Sequence, residues 1–296
     1  MKNMFTNRTL RLLAALLLLP AALFIGCQKT AATGPDLTDG EVTNEDIAIS
    51  VANLICEESG GTLDQIGDIL EIISTDIQNP PSKTDPAAGV ITREAVYDSV
   101  LQIWTIHVEK ERGTPADSIY SKFSRTYTMQ LYNAEGTPQQ YWITDGDTAS
   151  AFDVDIVDGT GVHYGPHISH QLTALDGSWH GTGADTPIIT INGIFHRAAL
   201  DSLFRPRGTR ISDHAVSLTL TDVTGPRGSR INLTRKVSGT VTGQFTADVE
   251  IIKENVTITK HIVKDISIDL SASHTRIKVG PQWFFVHPGS GEVSGS

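Results

Sequence analysis

Four of the ten histidines fall in one short stretch, at His163, His167, His170 and His180. Neutral imidazole is the commonest side-chain metal ligand, and zinc takes four protein ligands in structural sites or three in catalytic ones. On one extended strand, His163 and His167 would point to one face and His170 to the other, although Pro166 interrupts the strand. No His-Glu-x-x-His helix or cysteine pair completes a known pattern. Two interpretations stay open: a metal site of the kind a metal-dependent hydrolase uses, or a polar strand with solvent-facing histidines.

Aspartates cluster just upstream of these histidines. Asp153 and Asp155 are separated by one residue in a strand-like stretch, so their carboxylates share a face, as calcium binding or paired acid–base catalysis would require. The order of an EF-hand loop is absent, because Val157 stands where a ligand is needed. Exposed strand carboxylates beside a turn are the simpler interpretation. The group comprises Asp145, Asp147, Asp153, Asp155 and Asp158.

A short repeat carries four arginines. Segment 206–211 (PRGTRI) returns as 226–231 (PRGSRI), and each copy is followed by a β-patterned stretch. If each unit is one long strand with its turn, the two turns lie at opposite ends of the sheet. If each unit is a short hairpin, the turns lie together. Only the second arrangement predicts an anion-binding patch, formed by Arg207, Arg210, Arg227 and Arg230.

Motifs for nucleophilic catalysis are missing from the sequence. It contains no Gly-x-Ser-x-Gly elbow and no Ser-x-x-Lys. The glycine-rich segment 177–183 (GSWHGTG) is predicted as a loop between strands with no helix behind it, unlike a phosphate-binding loop. Trp179 in this loop either stacks on a sugar or packs over a hairpin end. The sequence therefore predicts no catalytic residue and no cofactor, and it favours a protein that is not an enzyme.

From about residue 90 the apolar residues recur with a period of two. This pattern predicts antiparallel strands that have one apolar and one polar face. Val96, Val100 and Trp104 are assigned to one face of a single strand, and turn signals such as Asp158-Gly159 and Asp176-Gly177 separate the runs. About ten to twelve strands are expected, with no helix after residue 80. Their length favours a meander that forms a barrel or half-barrel, with a two-sheet sandwich as the rival.

Two helices are predicted before the strands. The first has apolar residues at i, i+4, i+7 and i+8 from Ile47, behind a cap at Asn44. Thr62 and Gln65 predict a capping box for the second, whose apolar stripe begins at Leu63. We expect the helices to form a hairpin that packs on the β domain, although the stripes also suit a partner.

The N-terminus has the three parts of a secretory signal. Basic residues precede the apolar run Leu12–Ile25, and Gly26 supplies a small residue before Cys27. The run is shorter than the roughly 20 residues of a spanning helix. Residues Phe24–Cys27 resemble the lipobox of bacterial lipoproteins, with Phe and Ile where Leu and Ala or Ser are commoner. The resemblance implies cleavage before Cys27 and acylation, palmitate included, of that cysteine.

The residue after the cysteine helps to determine the membrane to which such a lipoprotein is delivered. By resemblance to enterobacterial sorting, Gln28 implies delivery to the outer membrane. A polar, acidic segment then follows and is typical of a flexible tether between anchor and body. The predicted organisation is a signal peptide at 1–26, a tether at 27–43, a helical hairpin at 44–79 and an antiparallel β domain at 90–290.

The amino-acid composition argues against some classes of binding partner. The net charge is −11, and removal of the signal peptide with its three basic residues makes it −14. An acidic chain lacks the basic surface of nucleic-acid-binding proteins, so no nucleic acid is expected. With Cys27 acylated, Cys56 is the only other cysteine. It cannot form an internal disulfide and is predicted to be a small buried side chain.

These observations predict a lipid-anchored protein of the cell envelope that faces the periplasm or the cell surface. Its expected role is structural or binding rather than catalytic, with the membrane bound through Cys27 and an envelope protein as a possible partner. The first alternative is a carrier of lipid or another apolar ligand, because half-barrel carriers have a similar architecture. The second is the metal-dependent hydrolase that would use the four histidines.

Overall fold

The computed structural model of the protein describes residues 42–73, 77, 83–85, 89–165, 168–205, 208–228, 236–253, 256–271, 275–289 and 291–295. Cys27, which we predict to carry lipid, lies outside these residues, as do His167, Arg207 and Arg230. No helix among the described residues combines the length and the apolar character needed to cross a membrane.

In the part of the chain that the structure describes, two helices precede sixteen strands, and most of the strands are long. The helices are α1 (Asn44–Ile55) and α2 (Thr62–Ile72). The strands are β1 (Lys83–Asp85), β2 (Gly89–Asp98), β3 (Ile103–Arg112), β4 (Tyr120–Tyr132), β5 (Pro138–Gln139), β6 (Ile143–Thr144), β7 (Asp147–Thr148), β8 (Ala151–Gly165), β9 (Ile168–Thr182), β10 (Ile188–Arg205), β11 (Gly208–Pro226), β12 (Ser238–Lys253), β13 (Val256–Leu270), β14 (Thr275–Val279), β15 (Gln282–Val286) and β16 (Val293–Gly295).

The predicted mainly β fold is confirmed as one large antiparallel meander. Fourteen strands form a single sheet in the order β1-β2-β3-β4-β8-β9-β10-β11-β12-β13-β14-β15-β16, with β5 attached to β4. The sheet is not closed, because β1 and β16 stand at its two ends. Strands β6 and β7 form a separate small hairpin. The strand count exceeds the predicted ten to twelve because strands of two or three residues are too short to show a period.

The sheet curls around the two helices. Helix α2 reaches β2 through the ion pair of Glu71 with Arg93, and α1 contacts β14, nine strand spacings away. A flat sheet would separate those strands by about 43 Å, whereas two packed helices measure only about 20 Å across. The sheet therefore wraps the helices, and every residue of α2 is buried. The apolar core lies between them.

The helix caps differ from the predicted ones. Thr43, not Asn44, caps α1, and it forms a capping box with Asp46. The capping box predicted at Thr62 and Gln65 is wrong. Thr62 is the first residue of α2, its hydroxyl donates to the carbonyl of Leu54 in α1, and the cap position is occupied by a glycine. Close packing against α1 therefore replaces the local cap at this helix end.

Part of the predicted strand pattern is also wrong. Val96 and Val100 do not share a buried face with Trp104, because β2 ends at Asp98 and a tight turn follows. The Asp98 carboxylate accepts hydrogen bonds from the backbone N–H groups of Val100 and Leu101, which stabilises the turn. Both valines are exposed and Trp104 is buried. The turn stabilised by Asp98 therefore separates β2 from β3, although the apolar residues on its two sides continue the same period of two.

Several glycines predicted to mark turns lie inside strands instead. Gly159 is in β8, Gly177 and Gly181 are in β9, and the predicted loop 177–183 is therefore mostly strand. A Cβ atom on Gly181 would lie 2.0 Å from the ring of Phe152, so the glycine leaves room for a buried aromatic side chain. Trp179 is buried as well, and its indole N–H donates to the carbonyl of Ile194. Its ring is thus packed in the core and is not exposed to stack on a sugar.

Candidate functional site

An acidic stripe on α2 faces basic residues of the sheet. Asp64, Asp68 and Glu71 are spaced i, i+4 and i+7, so they share one face of the helix. Lys110 of β3 points inward at this level, and its Nζ lies 2.7 Å from both carboxylate oxygens of Asp64 and 2.8 Å from Oδ1 of Asp68. Arg125 of the neighbouring strand β4 places Nη1 2.6 Å from Asp64 and 3.0 Å from Asp68.

Two further side chains of the sheet, Arg93 and Tyr127, contact the acidic stripe of α2. Arg93 of β2 donates from Nη2 to Glu71 over 2.6 Å and lies 3.8 Å from Asp68. The Tyr127 hydroxyl donates to Asp68 over 3.2 Å. The set formed by Asp64, Asp68, Glu71, Arg93, Lys110 and Arg125 is called the acid–base cluster below. It contains three acidic and three basic side chains, so its charges balance when all six are ionised.

Burial and neighbouring charge act in opposite directions on the pKa values in this cluster. The pKa of Lys110 is lowered to about 7, chiefly by burial and also by Arg125 and Arg93, against the opposing effect of Asp68. Burial alone would raise the pKa of Asp68, but Lys110, Arg125 and Arg93 together bring it below its ordinary value. Burial, followed by the negative charge of Asp68, raises the pKa of Tyr127. Asp68 is therefore held as a carboxylate by the three cations around it.

The turn between the helices is held by two buried arginines. The carbonyl of Gly60 accepts from Nη2 of Arg125 over 2.6 Å and from Nη1 of Arg197 over 3.2 Å. Arg197 also donates to the carbonyl of Leu54 at the end of α1. Cys56 is fully buried in this turn, as predicted, with its thiol 2.9 Å from the Ser59 hydroxyl. The turn is thus fixed to β4 on one side and to β10 on the other.

A second polar group, the histidine cluster, comprises Arg197, His170, Asp201 and His214. All four side chains are buried and point inward from β9, β10 and β11. The Asp201 carboxylate lies 2.5 Å from Nδ1 of His170 and 3.0 Å from Nε2 of His214. Nη2 of Arg197 donates to Nε2 of His170 over 2.8 Å.

The donors in this cluster define the protonation states. A guanidinium can only donate, so Nε2 of His170 accepts and its proton sits on Nδ1, which donates to Asp201. Burial, with the positive charge of Arg197, lowers the pKa of His170, although Asp201 opposes the shift. Burial alone would raise the pKa of Asp201, but the two histidines that donate to it bring it well below its ordinary value. The cluster therefore holds one carboxylate, one guanidinium and the neutral imidazole of His170, and His214 donates to the same carboxylate from Nε2.

Two histidines and one aspartate resemble a metal-ligand set, and their ligand atoms lie within 4.8 Å of one another. The hydrogen bonds argue against that use. Nδ1 of His170 carries a proton in this arrangement, and ligand atoms about 2.1 Å from a metal would lie about 3 Å or more apart rather than 2.5 Å. The Arg197 cation next to His170 would also repel a metal ion. The arrangement therefore suits a hydrogen-bonded structural array better than a metal centre.

The predicted orientation of His163 relative to His170 is wrong. His163 and His170 do not face opposite sides, because β8 ends at Gly165 and β9 begins at Ile168, so the two residues are a cross-strand pair. Directly opposed residues of antiparallel strands point to the same face, and both histidines are buried there. Burial, together with His170 and Arg112, lowers the pKa of His163 to about 4. Nδ1 of His163 has no partner among the described residues.

The other candidate residues are dispersed. His180 is exposed on the opposite face of the sheet, 2.7 Å from Asp153, so it does not join His163 and His170. Arg210 is buried near the start of β11 and pairs with Asp46 of α1 over 2.6 Å, whereas Arg227 follows the other end of β11 and lies over the Trp142 ring. The described arginines of the repeat are therefore not brought together.

No protein-family model matches the chain, and comparisons with curated proteins and with solved structures give no match either.

Proposed function

We propose that the protein is a lipid-anchored lipoprotein of the bacterial envelope whose β body has a non-catalytic structural or binding role. The sequence from Phe24 to Cys27 supports the anchor, Gln28 supports the outer membrane, and the acidic segment that follows supports a tether. The observation that carries the role of the body is the complete burial of α2 with its acidic stripe neutralised by sheet cations. Polar groups that pair with one another inside the core stabilise a scaffold and are not available to a substrate.

This packing favours a scaffold over the two alternatives. A lipid carrier needs an apolar cavity of several hundred Å³, whereas α1 and α2 pack against the buried face of the sheet. Open pockets lie on the outer face instead, one of about 220 Å³ over Ala198 and Ala215 and another of about 450 Å³ lined by charged residues that include Glu109 and Lys122. A metal-dependent hydrolase needs free ligand atoms, and His170 uses both ring nitrogens in hydrogen bonds.

The anchor is tested by metabolic labelling of the full chain in bacteria with an alkyne analogue of palmitate. We expect the label on the wild-type protein and its loss, together with loss of membrane association, in the Cys27→Ser variant. Cys56→Ser is the matched control, because it removes the other cysteine and should leave both properties unchanged. Labelling that persists in Cys27→Ser would contradict the proposed anchor.

The role of the body is tested by mass spectrometry of the purified full chain under native conditions, combined with elemental analysis. A scaffold should give the mass of the acylated chain alone and no stoichiometric transition metal. A stoichiometric lipid that dissociates on activation would support a carrier instead. A bound metal that is lost in His170→Ala would support the hydrolase, and either result would contradict the proposed role.

A further inference from the structure

Strand β13 is paired along only part of one side. It pairs with β12 over its whole length, from Val256 to Leu270, but β14 covers only the portion from Ile266 to Leu270. The ten residues 256–265 therefore present one row of backbone N–H and C=O groups that has no strand partner among the described residues. A free edge of that length, about 33 Å, is a template for pairing with another extended chain.

The side chains of this free edge, residues 256–265, include apolar and basic groups, and its one acidic residue, Asp265, lies on the other face from the lysines. Ile258 and Ile262 are partly buried against the core, while Val256 and Val263 are 56% and 48% exposed. In a strand that is shielded on both sides, such residues would be covered by neighbours on the same face. An added strand would cover them in the same way.

Charge identifies the kind of strand that fits. Lys260 and Lys264 lie on the same face as Ile262, opposite Val249 and Phe245 of β12. Neither lysine has a described acidic partner, although the chain as a whole carries a net charge of −11. The two ammonium groups extend from positions about 13 Å apart along the strand. A paired strand would neutralise them with acidic side chains four residues apart and would cover Ile262 with an apolar residue between them.

We propose that this free edge binds an acidic, extended segment of a partner protein by β-strand addition. Backbone hydrogen bonds would supply affinity, and the alternation of acidic and apolar side chains on one face would supply specificity. A second copy of the chain fits less well, because antiparallel self-pairing centred on Ile262 sets Lys260 against Lys264. The proposal deepens the binding role proposed above and does not depend on the lipid anchor.

The test uses the full chain in detergent micelles and two fluorescent ten-residue peptides. Both peptides carry threonine on one face. On the other face, the first has glutamates four residues apart with a valine between them, and the second has lysines in place of the glutamates. We expect fluorescence anisotropy to show binding of the glutamate peptide about tenfold tighter than of the lysine peptide. Hydrogen exchange should show that the peptide protects amides of residues 256–265.

Charge reversal gives the decisive comparison. The variant Lys260→Glu/Lys264→Glu should invert the preference between the two peptides, and the remote Lys122→Glu on β4 should leave it unchanged. The single variant Lys264→Gln, which is milder, should weaken binding of the glutamate peptide if the double variant does not fold. Equal affinity of the wild-type protein for the two peptides would overturn the proposal, and so would protection confined to other strands.

The two lysines would have the opposite role if they served only to keep other strands away from the edge. In that case, the variant Lys260→Thr/Lys264→Thr would self-associate in analytical ultracentrifugation, and the wild-type protein would bind neither peptide. That pair of results would overturn the proposal. It would leave the palmitate labelling through Cys27 unaffected, so failure of this proposal is distinguishable from failure of the anchor.

Discussion

The acid–base cluster and the histidine cluster lie on the same face of one sheet but neutralise buried charge differently. The first brings together three carboxylates and three cations from α2, β2, β3 and β4. The second, on β9, β10 and β11, surrounds the single carboxylate Asp201 with two imidazoles that donate to it. Arg125 and Arg197 connect the two through the carbonyl of Gly60.

The difference determines what each cluster responds to. Several ionised groups in a core remain tolerable only while their charges balance, because removal of one partner leaves a buried charge without compensation. Neutral histidines avoid that cost at neutral pH but acquire charge as the pH falls. The acid–base cluster should therefore be sensitive to substitution, and to pH above about 7 through Lys110. The histidine cluster with its neighbour His163 should be sensitive to pH below 6.5.

The largest effect is expected from Asp68→Asn in the acid–base cluster. This change preserves the shape of the side chain but leaves Lys110, Arg93 and Arg125 facing only two carboxylates. We expect a loss of about 3–5 kcal/mol in the free energy of unfolding, measured by urea denaturation. Glu109→Gln, an exposed acid on β3, is the matched control and should change stability by less than about 0.5 kcal/mol.

A second substitution distinguishes charge imbalance from lost packing. In the variant Asp68→Asn/Arg93→Met the cluster again has equal numbers of acidic and basic groups, so part of the lost stability should return. If Asp68→Asn alone costs less than about 1 kcal/mol, the cluster does not depend on charge balance. The contrast with the histidine cluster would then disappear.

The second-largest effect is a loss of stability at low pH that is caused by the titration of His163. Its pKa is about 4 in the folded protein because of burial, against an ordinary value of 6.5. As the pH falls through 6.5, the unfolded chain takes up a proton that the folded protein does not, so unfolding becomes easier. The contribution of His163 to stability should be fully present above pH 6.5 and should fall by about 3 kcal/mol as the pH approaches 4. The lowered pKa of His170 acts in the same direction.

The measurement is the free energy of unfolding as a function of pH for the wild type and for His163→Gln. The glutamine cannot titrate, so its curve should be flatter between pH 6.5 and 4. Because Asp201 is held well below its ordinary pKa, its own contribution should disappear only at still lower pH. Identical slopes for the two proteins would show that His163 is not the titrating group.

The sequence contains signals of the two buried clusters that a search for catalytic motifs does not detect. Alternation along a strand is local, which is why long antiparallel strands after residue 90 were predicted correctly. Arg125 occupies an inward position between Phe123 and Tyr127, and Asp64 opens an i, i+4, i+7 acidic stripe. A basic residue in phase with an apolar face, together with such a stripe, signals ion pairing in the core. That signal was overlooked, and Asp201 and His214 were overlooked with it.

Which acidic residue pairs with which basic residue cannot be predicted from the local sequence pattern. Arg125 and Asp64 are 61 residues apart, and their contact depends on the curl of the sheet around α2. The relation of His163 to His170 depended instead on whether the chain turns between β8 and β9. A change from one strand to a hairpin moves the two histidines from opposite faces to the same face. Sequence therefore predicted the elements well, but not the long-range contacts between them.

A smaller effect is expected from Asp201→Asn in the histidine cluster. The amide can accept from one imidazole but presents a donor to the other, so one charge-assisted hydrogen bond is lost. We expect a loss of about 2 kcal/mol for that hydrogen bond. Arg197, whose charge Asp201 balances, keeps its hydrogen bonds to the carbonyls of Leu54 and Gly60, so its guanidinium is not left without partners. Urea denaturation at pH 7.5 measures this loss. A cost equal to that of Asp68→Asn would mean that the two clusters do not differ.

The smallest effect is expected at the solvent-exposed pair His261–Asp248. This pair has the same chemistry as His170–Asp201 and a similar separation, 2.8 Å, but its side chains are 66% and 68% exposed. Water solvates both partners when the pair is broken, so Asp248→Asn should change the free energy of unfolding by less than about 0.5 kcal/mol. Denaturation of this variant beside Asp201→Asn isolates burial as the variable. Equal losses would mean that contact chemistry rather than burial governs both pairs.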